Sequence, residues 1–80
     1  PAVNVSRAAL EGQSVIDVSF LVGLAPSKAE AKRLVQQGGL YLNNVRVEDA
    51  NAKIEGFVSL SGSQFLVRAG KKKRLVVKIQ

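Results

Sequence analysis

The stretch from Pro26 to Val47 constrains the fold more than any other, because its punctuation leaves room for one helix and then one hairpin. Pro26 keeps Ala25 out of the α region, so a helix begins after it. Ser27 and Glu30 have the S-x-x-E spacing of a capping box. Ala31, Leu34 and Val35 then fall on one face, while Lys28, Lys32 and Gln36 stack on another side. Gly38-Gly39 stops the helix. Directly afterwards, Leu40-Tyr41-Leu42 and Val45-Arg46-Val47 flank Asn43-Asn44, a pair that tolerates the positive φ of a type I′ turn. That register sets Leu42 opposite Val45 and Leu40 opposite Val47 on the core face, with Tyr41 facing Arg46 on the other.

Upstream, Ser14 and Asp17 form a second capping pattern, and Gly23-Leu24 suits a Schellman-type stop. Val15, Ile16, Val18, Leu21 and Val22 fall mostly at helical spacing, which predicts a helix over Val15–Val22, although their β-branched content also suits a buried strand. The two helices make a helix-turn-helix-like pair. Residues 1–13 show no clear period and read as a linker or a loosely docked lead-in, with the domain itself over 14–80. Downstream, Ile54, Phe57, Val58 and Leu60 read as core, and Phe20, Phe57 and Phe65 as buried. A second hairpin is expected from Gln64–Arg68 and Arg74–Ile79, turned by Ala69 to Lys73. The fold class is α+β: two N-terminal helices packed on a small, mostly antiparallel sheet.

Composition narrows the chemistry. Eighty residues allow one small domain, and 46% apolar residues supply its core. With no cysteine and no histidine there is no disulfide, no thiolate or imidazole metal site and no Ser-His or Cys-His nucleophile. No cofactor or metal is expected. The run from Phe20 to Pro26 is far too short to cross a bilayer, and residues 1–13 lack a signal-peptide pattern. Since methionine is absent altogether, the chain is expected to be a piece of a longer protein. Glu48 and Asp49 are adjacent acids that follow a hairpin, where neighbouring side chains point apart; they read as solvated loop charges rather than as an acid–base pair.

The charge is segregated. Residues 1–55 hold six basic and six acidic residues, whereas residues 56–80 hold Arg68, Lys71, Lys72, Lys73, Arg74 and Lys78 and no acid. The whole +6 excess lies in the last third, which points to a polyanionic partner. Lys71 to Arg74 sit on and beside a hairpin tip, where long cationic side chains reach phosphates. The competing readings of the same run are a solubilising charge, a nuclear-localisation patch and protection of a sheet edge. A second candidate surface starts at the N-terminus of the Ser27 helix, with its free amides and Lys28, and continues through Lys32, Gln36, Tyr41 and Arg46. The shortage of aromatics argues against a base-stacking platform and for recognition of backbone and groove shape.

The run Ser27-Lys28-Ala29-Glu30-Ala31-Lys32-Arg33-Leu34-Val35-Gln36-Gln37-Gly38-Gly39-Leu40-Tyr41-Leu42-Asn43-Asn44-Val45-Arg46-Val47 resembles the S-four domain, the alpha-L RNA-binding motif. Asn44 stands where that family usually has glycine. The flanks, Val15 to Lys28 and Phe65-Leu66-Val67-Arg68-Ala69-Gly70-Lys71-Lys72-Lys73-Arg74-Leu75, are similar to the C-terminal domain of bacterial-type tyrosyl-tRNA synthetases, where an R-x-G-K-K-K/R hairpin ends the chain. The resemblance implies a non-catalytic, tRNA-binding appendage on the anticodon arm and long variable arm of tRNA-Tyr. The aminoacylation site would then lie in an N-terminal domain outside this chain. It implies RNA-binding roles for Ser27, Lys28, Lys32, Arg33 and Arg46 on the first surface, and for Arg68, Lys71, Lys72, Lys73 and Arg74 on the second. It also implies a homodimeric parent in a bacterial cytoplasm or an organellar matrix. Three other readings remain: an S-four module of another RNA enzyme or ribosome-associated factor, a winged helix DNA binder with the lysine hairpin as wing, and a protein- or membrane-surface domain using the basic tail.

Overall fold

The computed structural model describes residues 2–80 as three α-helices, one 3₁₀ turn and one five-stranded sheet. In chain order these are β1 (Ala2–Val5), α1 (Arg7–Leu10), α2 (Val15–Leu21), α3 (Lys28–Gln36), β2 (Leu40–Leu42), β3 (Val45–Arg46), the 3₁₀ turn Ile54–Gly56, β4 (Gln64–Ala69) and β5 (Lys73–Ile79). The strand order is β1-β5-β4-β2-β3; only β1 and β5 run parallel. The α+β architecture expected from the sequence is therefore present.

Local signals set the helix ends. The hydroxyls of Ser14 and Ser27 accept from the amides of Asp17 and Glu30, each at 3.1 Å. Gly23 and Gly38 take φ of +81° and +72°. Behind each, the paired bonds of a Schellman stop form, from Leu24 N–H to Ser19 O at 3.0 Å and from Gly39 N–H to Leu34 O at 2.8 Å. Asn43 and Asn44 take φ of 50° and 67°, the conformation a type I′ turn demands.

Four expectations are corrected. Residues 2–13 are not a loosely docked lead-in: β1 pairs with β5 in the register Ala2↔Val76 to Val5↔Ile79, and Leu10 is fully buried. Pro1 falls outside the described residues. The acidic segment before the second hairpin also holds this region, because Val15 N–H bonds Ala52 O and Ile54 N–H bonds Gln13 O. Phe20 is 46% exposed rather than buried, because α2 turns Val15, Val18 and Val22 inward and Phe20 falls off that stripe. Val45 is 56% exposed, since β3 is a two-residue strand at the edge of the sheet, beyond the main core. Phe57 and Leu60 are half-buried against the core, while Phe65, Ile54 and Val58 are buried.

The core joins one face of the sheet (Leu40, Leu42, Phe65, Val67, Val77, Ile79) to the helices through Leu10, Val15, Val18, Val22 and Val35. Leu34 packs on its margin. Among the described residues no helix is long and apolar enough to span a membrane.

Candidate nucleic-acid interface

Pairing across the sheet gathers the cations of the last third at one end. Lys73 lies opposite Ala69 and Arg74 opposite Arg68 in the β4–β5 hairpin, so Gly70, Lys71 and Lys72 form its tip. Gly70 has φ of +62°, which a residue without Cβ adopts without strain. Its N–H donates to Gly39 O at 2.7 Å. That bond docks the lysine turn against the C-terminal stop of α3, not against the helix N-terminus that carries Ser27 and Lys28. Nine residues of helix, about 13 Å, separate the two ends. Lys71, Lys72, Lys73 and Arg74 are all exposed. None of them makes an ion pair among the described residues.

The first surface is differently disposed. The Ser27 hydroxyl is occupied as the helix cap. Lys28 pairs with Asp17 on α2 at 3.2 Å, Arg33 with Glu30 at 2.7 Å, and Arg46 with Glu48 at 3.2 Å. Lys32 is exposed and makes no ion pair among the described residues. Gln36 and Gln37 line an open groove with Gly38, Arg46 and Glu48, so the α3 side and the first hairpin do meet. The Arg46 Cδ would lie 3.5 Å from a Cβ at Gly38, which makes glycine there both a φ requirement and a close approach.

One contact escapes a hairpin-by-hairpin reading of the sequence. Tyr41 does lie opposite Arg46, but its other neighbour across the sheet is Arg68, whose guanidinium carbon sits 3.9 Å from the centre of the Tyr41 ring. A planar cation over an aromatic face is attracted by the ring quadrupole. Arg68 also donates to Gly70 O at 3.0 Å, so its guanidinium is held from two sides. The signal that reveals this contact is register: extending the β2 alternation onto β4 puts Arg68 beside Tyr41.

The Lys28–Asp17 pair is testable by titration. The hydrogen bond from Lys28, helped by the Ser14 hydroxyl, holds the Asp17 carboxyl below its ordinary range. Replacing Lys28 with Gln is expected to move the Asp17 midpoint back up, read by NMR as a carboxyl titration. Because the folded-state value is the lower one, the pair stabilises the domain above the ordinary carboxylate range, and that contribution is lost as pH falls through the folded-state value. Both partners are substantially exposed, so its size is that of a surface pair, below about 1 kcal/mol. An unmoved midpoint counts against the pair.

Comparison with known proteins now decides the family. The family model of the tyrosine–tRNA ligase SYY-like C-terminal domain matches residues 1–77. The chain belongs to this family. It is 42% identical over 80 residues to the tyrosine–tRNA ligase of Caldanaerobacter subterraneus, covering 98% of this chain and 19% of that protein. It is 37% identical over 79 residues to the chloroplastic/mitochondrial tyrosine–tRNA ligase of Arabidopsis thaliana, covering 99% of this chain and 16% of the relative. The ligase of Opitutus terrae is 40% identical, with 99% of this chain covered. The chain thus spans less than a fifth of the length of these relatives. Among the described residues of this family member, the lysine-tipped hairpin and the α3–β2–β3 unit both present cations to solvent.

Proposed function

We propose that this chain is the tRNA-binding module of a tyrosine–tRNA ligase, seated on the anticodon arm and long variable arm of tRNA-Tyr. Aminoacylation is then the work of the remainder of the protein, and this module is non-catalytic. The observation that carries the reading is the gathering of Arg68, Lys71, Lys72, Lys73 and Arg74 in one hairpin with no acidic partner among the described residues. Lys71, Lys72, Lys73 and Arg74 are exposed and make no ion pair among the described residues; a phosphate backbone neutralises such a cluster and releases counterions. The ion-paired Lys28, Arg33 and Arg46 form a secondary surface, since RNA must first compete with Asp17, Glu30 and Glu48 for them. The parent acts as a homodimer in a bacterial cytoplasm or an organellar matrix.

A fluorescence titration at about 0.15 M salt tests this. The ligands are tRNA-Tyr with its long variable arm, the same RNA without the arm, an unrelated tRNA and duplex DNA. Tightest binding to intact tRNA-Tyr is expected. Equal binding to all four ligands reduces the module to a generic polyanion binder, and tighter binding to DNA revives the winged-helix reading.

A further inference from the structure

The two faces of the sheet are chemically unlike. One carries the core. On the other, side chains form transverse rows set by the registers Arg74↔Arg68, Arg68↔Tyr41 and Tyr41↔Arg46, so a single row crosses β5, β4, β2 and β3. Two residues along, Val76 and Leu66 form a half-buried row outside the core cluster. Beyond them stand Lys78 and Gln64, with Asn4 of β1 opposite Lys78. Successive rows lie about 6.6 Å apart, the rise of two strand residues.

Like charges placed directly opposite each other across an antiparallel pair destabilise it. Arg68 and Arg74 are such a pair, and neither has an acidic partner among the described residues. Arg68 is nevertheless locked in place by the Tyr41 ring and the Gly70 carbonyl. Arg74, opposite it in register, is exposed, so a phosphate seated over the pair meets one immobilised and one mobile cation, and charge-assisted hydrogen bonds to either are strong. At the far end of the row Arg46 pairs with Glu48.

We propose that the uncovered face of the sheet is a second RNA-contact surface, on which a phosphate is held between Arg68 and Arg74 and the backbone continues past Lys78. Tyr41 is a positioning residue there: its ring backs the Arg68 guanidinium. The proposal rests on the RNA-binding reading above and adds a face to it. The lysine tip engages RNA at the end of the hairpin, and this face engages it along the strands.

The test uses the 80-residue chain, tRNA-Tyr and anionic phospholipid vesicles, with circular dichroism to verify folding. Arg74→Gln with Lys78→Gln removes two exposed charges and is expected to lower tRNA affinity about tenfold, shrinking the salt slope by about 0.7–0.9 for each phosphate no longer neutralised. Tyr41→Leu is expected to weaken binding about three- to fivefold, the effect of removing one half-buried cation–π interaction, whereas Tyr41→Phe keeps the ring and restores binding. If Tyr41→Leu fails to fold, the Arg74/Lys78 variant alone decides. Unchanged affinity and slope in that variant, with wild-type binding intact, overturns the sheet-face proposal and leaves the module an RNA binder. Loss of vesicle binding without loss of tRNA binding overturns it too. A wild-type chain that does not bind tRNA overturns both readings.

Discussion

Changing Lys71, Lys72 and Lys73 together to alanine is expected to cost about a hundredfold in tRNA affinity, since each lysine–phosphate interaction is worth about 1 kcal/mol net of desolvation. The salt slope should shrink by about two, at about 0.7–0.9 for each phosphate the lysines had neutralised. Folding should be untouched. All three side chains are exposed, and the turn is set by main-chain features they do not supply, namely the positive φ of Gly70 and its bond to Gly39 O. Circular dichroism and a salt series of binding titrations read the two halves of the result. An unchanged slope means that the lysines do not touch phosphate, whatever the affinity does. The same substitution at Lys28 should cost far less, because that ammonium already has Asp17 as its partner.

Most of the local architecture was legible in the sequence. Ser14, Ser27, Gly23, Gly38 and Asn43-Asn44 act on backbone atoms within about five residues, so a short window contains all the physics of a cap or a tight turn. β1 was not legible. Ala2-Val3-Asn4-Val5 offers only four residues of alternation, and its partner strand lies at the opposite end of the chain. Phe20 misled for a related reason: hydrophobicity suggests burial, but the angular position around α2 decides it. The charge cluster could be read from composition, whereas the state of each cation could not. The pairing of Arg33 with Glu30 follows from helical spacing, yet Lys28–Asp17 joins two helices and Arg68–Tyr41 joins two strands from different hairpins. Those pairings need the tertiary fold, and they separate the free cations from the engaged ones.

Leu10→Ala is the sharpest test of how far the domain extends, and it carries the largest expected loss of stability. Leu10 is 0% exposed and belongs to the core cluster with Val15, Val18 and Ile54. Truncating a buried leucine removes transfer free energy and leaves a cavity, at about 2–5 kcal/mol. In a domain of this size that is a large part of the total stability. The surrounding segment is tied in at both ends, with Arg7 N–H bonded to Gln80 O at 2.8 Å and Gln80 N–H to Val5 O at 2.9 Å. Urea unfolding should therefore show a much lower midpoint for Leu10→Ala, while exposed Glu11→Ala stays within about 0.5 kcal/mol of wild type. Equal midpoints would detach residues 2–13 from the cooperative unit. The consequence reaches the binding surface: β1 covers the outer edge of β5, the strand that carries Arg74 and Lys78. Loosening the first strand frees the backbone on which those cations are aligned, so a leucine on the opposite side of the sheet is expected to weaken RNA binding without touching RNA.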